Sequence, residues 1–233
     1  MKQLIVLIGP PGSGKGTQGR LLASHFDFVY RATGDLIRAA SKSALQDELY
    51  RAISARNAAG IPQPDEVVNE LLWRELKNLT ISHGLILDMY PLSMGQVEGL
   101  QKLVKDFSFA TPHVVYFEVS EAETVRRLAM RQFCAKDNRS VMPDSEEAKT
   151  NICSVCGEHL MTREDDKPDV VKRRYQEYAR RFEPMLKFFK EQGWLHIINS
   201  ERGVEEIQEE VRSIVNSKSQ APNYKQIPIS KFQ

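Results

Sequence analysis

The stretch Gly9–Thr17 reads GPPGSGKGT and directly follows an apolar run, LIVLI, at Leu4–Ile8. It holds the pattern Gly-x-x-x-x-Gly-Lys at Gly9, Gly14 and Lys15. Glycines so spaced let backbone N–H groups turn inward around phosphate oxygens, and a helix starting there adds its positive end. Lys15 can then reach a terminal phosphate. A glycine-rich turn that binds nothing is the bland alternative, and a strand before it with a helix after it argues against that. Gly16 replaces the hydroxyl residue usual directly after the lysine, with Thr17 next. Ligation of Mg2+ by a hydroxyl at position 16 is therefore excluded.

Other residues fit the same chemistry. Asp88 ends the apolar run Gly84–Asp88, where a carboxylate can hold Mg2+ through water. The alternative is a turn-initiating aspartate. Phosphoryl transfer needs no protein nucleophile. It needs aligned phosphates and cations on the transferring oxygens, for which the planar, always-charged arginine is suited. Arg127 and Arg131 are four apart and share one face of a helix predicted over Glu121–Phe133. Arg163 lies in TREDD and Arg174 in VVKRRY. Taken alone, such runs are usually solvated, ion-paired faces. The thiols fall as Cys134-x-x-Asp137 and Cys153-x-x-Cys156. Four such positions suit tetrahedral Zn2+, with His159 a rival to Asp137 as fourth ligand. Three free thiols without metal are the alternative.

With its Gly-Lys-Gly-Thr variant, the chain resembles the adenylate kinases in the longer form with a cysteine-bearing lid, over about residues 2–214. That resemblance implies ATP on Gly12, Ser13, Gly14, Lys15, Gly16 and Thr17, with Arg127 and Arg202 beside it. It implies AMP on Thr33 and Arg38 of ATGDLIR, on Ile61, Pro62 and Gln63, on Met89 and Gln96, and on Arg163 and Arg174. Lys15, Asp88, Arg131, Arg163 and Arg174 become the transfer residues, oriented in part by Asp165 and Asp166. Mg2+ would accompany ATP, and a structural Zn2+ would sit on Cys134, Asp137, Cys153 and Cys156. Two departures stand out: Met89 replaces the family's glycine, and Leu92 replaces its arginine for the AMP phosphate. The implied activity is reversible transfer of the γ-phosphoryl group of ATP to AMP. Another acceptor monophosphate, or a non-catalytic nucleotide-binding relative, is the alternative, and Thr33 with Gln96 favours adenine.

These groups need a scaffold. Solid apolar runs at Leu4–Ile8, Gly84–Asp88, His113–Val119 and Leu195–Ile198 predict strands buried on both faces. Phe28–Tyr30 is a further short strand. Helical stretches lie between them, at Gln18–His25 with Leu21 and Leu22 facing inward, from Gly34, over much of residues 41–60, at Asp65–Leu76 with Asp65 as N-cap, and at Val204–Val215. The alternation predicts an α/β fold, a doubly wound parallel sheet that binds ligands beyond its strands' carboxyl ends. The resemblance makes the core residues 1–32, 66–131 and 170–216, with an AMP-binding insert at 33–65, a lid at 132–169 and a tail at 217–233.

The chain has 233 residues and a net charge of +1, which favours neither nucleic acid nor an anionic membrane. No apolar run approaches membrane-spanning length and no secretory signal is visible. Three cysteines, all close together, predict reduced thiols and a cytoplasmic location rather than a disulfide framework. ATP and AMP are the expected partners, with the chain a monomer.

Overall fold

The computed structural model describes residues 1–43, 47–59, 61–137, 139–141, 145–162 and 166–217. Its centre is a five-stranded sheet of β1 (Gln3–Ile8), β2 (Val29–Ala32), β3 (Gly84–Asp88), β4 (His113–Glu118) and β7 (Leu195–Asn199). The order is β2-β3-β1-β4-β7 and every pairing is parallel. This is the predicted α/β sheet, wound outward both ways from a central β1.

Side chains alternate across a strand, so β1 feeds two cores at once. Leu4, Val6 and Ile8 face α4 (Asp65–Lys77), α5 (Met94–Asp106) and α8 (Pro168–Glu191). Ile5 and Leu7 face α1 (Lys15–Phe26) and α9 (Val204–Asn216). Burial on both faces explains why LIVLI shows no polar alternation. α1 presents Leu22 to the core, while Leu21 is 41% exposed, so only one of the two leucines faces inward.

The stretch from residue 33 carries α2 (Thr33–Ser41) and α3 (Glu48–Ala58), which pack with α4 in a small cluster around Ile53 and Leu71. Asp65 does not cap α4: Pro64 holds the cap position, and the Asp65 carboxylate instead accepts from Ser93 and Gln96. The reason is Gly95 of α5, where a Cβ would come within 2.6 Å of Asp65 Oδ2, so the two helices close in and the carboxylate bridges them.

α6 (Glu121–Ala129) ends earlier than the periodicity predicts. Residues Gln132–Cys134 turn extended as β5 and pair antiparallel with β6 (Arg139–Val141). Arg131 therefore lies beyond the helix, and the shared helical face with Arg127 does not form. α7 (Glu146–Thr150) completes the insert, whose small core is Cys134, Val141, Cys153 and Leu160. That core is separate from the two flanking the sheet. Among the described residues no helix is long and apolar enough to cross a membrane. Residues 218–233 of the expected tail lie outside the described residues.

Candidate active site

β1 ends at Ile8 and α1 begins at Lys15, so the phosphate loop joins a central strand to a helix N-terminus. Gly9, Gly12 and Gly14 all take positive φ, at 151°, 76° and 83°. At Gly9 a Cβ would also lie 2.7 Å from the Phe117 carbonyl oxygen, so glycine is required twice over. Ser13 is buried within the loop. Lys15 Nζ folds back, donating to the Pro10 carbonyl at 2.7 Å and to Ser13 Oγ at 3.0 Å. Burial pushes its pKa down to about 8, the Asp88 charge raises it, and the Arg131 and Arg174 cations lower it further. A buried ammonium held by two neutral oxygens is under-compensated, and a phosphate anion would restore its charge balance.

Asp88 ends β3, the neighbour of β1, and is 7% exposed. Burial pushes its pKa up, and Lys15 pulls it back down. One carboxylate oxygen, Oδ2, accepts the Tyr30 hydroxyl; the other, Oδ1, is buried with no hydrogen-bond partner among the described residues. Tyr30, on edge strand β2, was not legible as a site residue, because a tyrosine in a short apolar run reads as core. Burial, then the Asp88 charge, pushes its phenol pKa well above the usual value.

The arginines arrive from the other side of the loop. Arg127 donates to Glu123 at 2.7 Å, to the Ser200 carbonyl at 2.7 Å and to the Gly12 carbonyl at 3.4 Å. Arg131 makes a bidentate pair with Asp166, at 2.9 and 2.5 Å. Arg174 projects from the first turns of α8, close enough to act on Lys15. The charges of Asp88, Arg131 and Arg174 thus all bear on the Lys15 ammonium. Arg163 and Asp165 lie outside the described residues. Arg202 is engaged by Glu206 and Glu210 of α9 and by the Asn199 carbonyl.

On the expected acceptor side, Thr33 is buried and its hydroxyl donates to the Asp88 carbonyl at 3.4 Å. Arg38 pairs with Asp35 while its Nε stays buried without a partner among the described residues. Ile61 is 48% exposed, the Pro62 carbonyl accepts from Arg56, and Gln63 donates to the Ile53 carbonyl at 3.1 Å. Gln96 uses both ends of its amide, accepting from the Leu92 N–H at 2.8 Å and donating to Asp65 at 2.9 Å. Met89 takes a left-handed φ of 59°, and its side chain, like that of Leu92, packs against the larger core.

In the insert, one ligand atom each from Cys134, Asp137, Cys153 and Cys156 lies within 4.8 Å of the others. The Asp137 carboxylate accepts from Cys153 at 3.0 Å and from Cys134 at 3.4 Å. Three thiols and one carboxylate converging on one point fit a tetrahedral Zn2+. His159 is exposed and lies outside the cluster, so Asp137 is the fourth member.

A parallel sheet with a phosphate loop on its central strand, an acid on the next strand and arginines above defines a P-loop phosphoryl-transfer protein. A family model described as adenylate kinase matches residues 7–194. An adenylate kinase of Fervidobacterium nodosum is 33% identical over 207 residues, 87% of this chain and 93% of its own length. One of Thermotoga petrophila is 34% identical over 220 residues, 92% and 98% of the two chains. One of Pyrococcus furiosus is 33% identical over 213 residues, 91% and 95%. The chain belongs to the adenylate kinase family.

Proposed function

We propose that the chain moves the γ-phosphoryl group of ATP reversibly onto AMP, giving two ADP, with Lys15, Asp88, Arg131, Arg163 and Arg174 as the transfer residues. The observation that supports the residue roles is the phosphate loop, with the Lys15 ammonium buried on Pro10 and Ser13 and Asp88 buried at the end of the adjacent strand. ATP lies along the loop from Gly12 to Thr17 with Arg127 at its flank, and AMP lies between Thr33, Arg38 and Gln96. Lys15 leaves the Pro10 carbonyl and Ser13 for the β- and γ-phosphates. Arg131 and Arg174 offset the charge spread over the transferring oxygens. The insert at 132–169 folds over ATP and the insert at 33–65 over AMP, excluding water so that transfer outruns hydrolysis.

Mg2+, when bound with ATP, neutralises phosphate charge. Asp88, with Oδ1 unpartnered, fits the acid that holds its water shell. A structural Zn2+ on Cys134, Asp137, Cys153 and Cys156 stabilises the lid fold. Reduced thiols in such a site suit a reducing, cytoplasmic setting.

A coupled assay of ATP with a panel of nucleoside monophosphates tests the reading. AMP is expected to be the best acceptor. Lys15→Ala is expected to lose about a thousandfold or more in kcat while its thermal unfolding stays cooperative. Near-normal turnover in that folded variant would refute the mechanism.

A further inference from the structure

The Asp88 carboxylate is asymmetric, one oxygen bonded and one bare among the described residues, and the bonded oxygen is held by a residue outside the phosphate loop. In the β2–β3 register Tyr30 stands opposite Ile86, and Ala32 opposite Asp88. Residues two apart point to the same sheet face, so Tyr30 reaches along β2 to the carboxylate from the α1 side. Its ring lies in a slot made by glycines of α1. A Cβ at Gly19 would lie 2.6 Å from Tyr30 Cε2, and one at Gly16 would lie 3.6 Å from the phenol oxygen. The Arg20 guanidinium, also from α1, lies over the ring, 5.2 Å from its centre.

The Asp88 backbone is fixed as well. Its carbonyl accepts from Thr33 at 3.4 Å, and the next N–H, that of Met89, donates to the Leu7 carbonyl at 3.0 Å. With the main chain pinned, side-chain rotation is the freedom left to the carboxylate, and the Tyr30 hydroxyl removes it. A buried carboxylate oxygen left without a donor is unfavourable unless a ligand completes it.

We propose that Tyr30 is a positioning residue for phosphoryl transfer, locking Asp88 through Oδ2 so that Oδ1 faces the hydrated divalent cation carried by the nucleoside triphosphate. This rests on the reading of Asp88 given above. The closed slot makes Tyr30→Phe a clean variant, since the ring keeps its packing and only the donor oxygen goes.

The test is a calorimetric titration of ATP with and without Mg2+, on the wild type and on Tyr30→Phe. The wild type is expected to gain affinity with Mg2+, and Tyr30→Phe to keep its affinity for metal-free ATP but lose most of that gain. In the coupled assay, KM for ATP is expected to rise and kcat to fall about tenfold with KM for AMP unchanged, the pattern of a contact that forms when Mg2+–ATP binds and tightens further in the transition state. In an Asp88→Asn background the same change is expected to do nothing further, because residues acting through one another are non-additive. An additive effect, as a general folding defect would give, overturns the proposal, as does an unchanged Mg2+ gain in Tyr30→Phe. If the wild type itself shows no Mg2+ gain, it is the role of Asp88 that fails.

Discussion

Arg131 and Asp166 form a bidentate ion pair across the base of the insert, with side chains 19% and 5% exposed. Arg131 is the residue before β5, and Asp166 lies two residues before α8. This pair therefore clasps the points where the chain enters and leaves the insert, and it holds the arginine proposed above for phosphoryl transfer. Asp166→Asn keeps the shape and removes the charge. The expected result is a kcat lowered about tenfold with KM for AMP little changed, since the loss falls on orientation of a transition-state cation. Steady-state constants for both substrates decide it; an unchanged kcat would show that Arg131 needs no orienting partner.

One Zn2+ per chain is expected at Cys134, Asp137, Cys153 and Cys156. Elemental analysis of protein purified without added zinc reads the stoichiometry. A chelator is expected to lower the thermal midpoint, because metal that binds only the folded insert stabilises it. Cys156→Ala is expected to lose the metal and His159→Ala to keep it. Metal-free protein with a midpoint indifferent to chelator would remove the site.

Leu92 packs against the core where the family resemblance places a phosphate-binding arginine. A charge-assisted hydrogen bond contributes about 1.5 to 3 kcal/mol, or about ten- to a hundredfold in affinity. Leu92→Arg is expected to improve kcat/KM for AMP at least about tenfold and to leave KM for ATP nearly unchanged. If it does not, the monophosphate panel should show a better acceptor than AMP, or Arg38 already fills the role.

His113 and His196 sit side by side on β4 and β7, 3.2 Å apart through Nδ1 and Nε2. Burial, then the neighbouring His196, pushes His113 down to about 4 from an ordinary 6.5; burial also lowers His196. Both are neutral in the folded protein, while the unfolded chain takes up protons below about 6.5. Stability is therefore full above about pH 6.5 and declines as pH falls toward about 4. Thermal midpoints across that range should drop in the wild type and drop less in His113→Gln. Parallel curves for the two proteins would assign the acid sensitivity elsewhere.

The phosphate loop and the central strands were legible because each is local: glycines where φ must be positive, and apolar runs where both faces are covered. Asp88 was legible for the same reason, sitting at a strand end. What escaped the sequence depends on register and on approach between elements. Leu21 and Leu22 are equivalent in hydropathy, and only the seating of α1 on the sheet separates them. Asp65 has the chemistry of a cap, but a glycine thirty positions away in α5 draws it across. Arg131 fits a helical spacing that the pairing of β5 with β6 interrupts. Tyr30 becomes visible only once β2 is laid beside β3. The bonds of the Gln96 amide to the Leu92 N–H and to Asp65 likewise appear only once α4 and α5 are packed together.

The insert has a core of its own, and among the described residues its two stems are joined by the Arg131–Asp166 pair and by the backbone pairing of Phe133 with Met161. Its folding therefore closes a short circuit that does not pass through the sheet. Such a unit is expected to open in a separate step, at lower free energy than the global transition, and to reform without disturbing the strands of the sheet. Amide exchange would then be layered, quick in the thiol-bearing knuckle and slow in β1. The catalytic floor would outlast repeated loss and recovery of its roof.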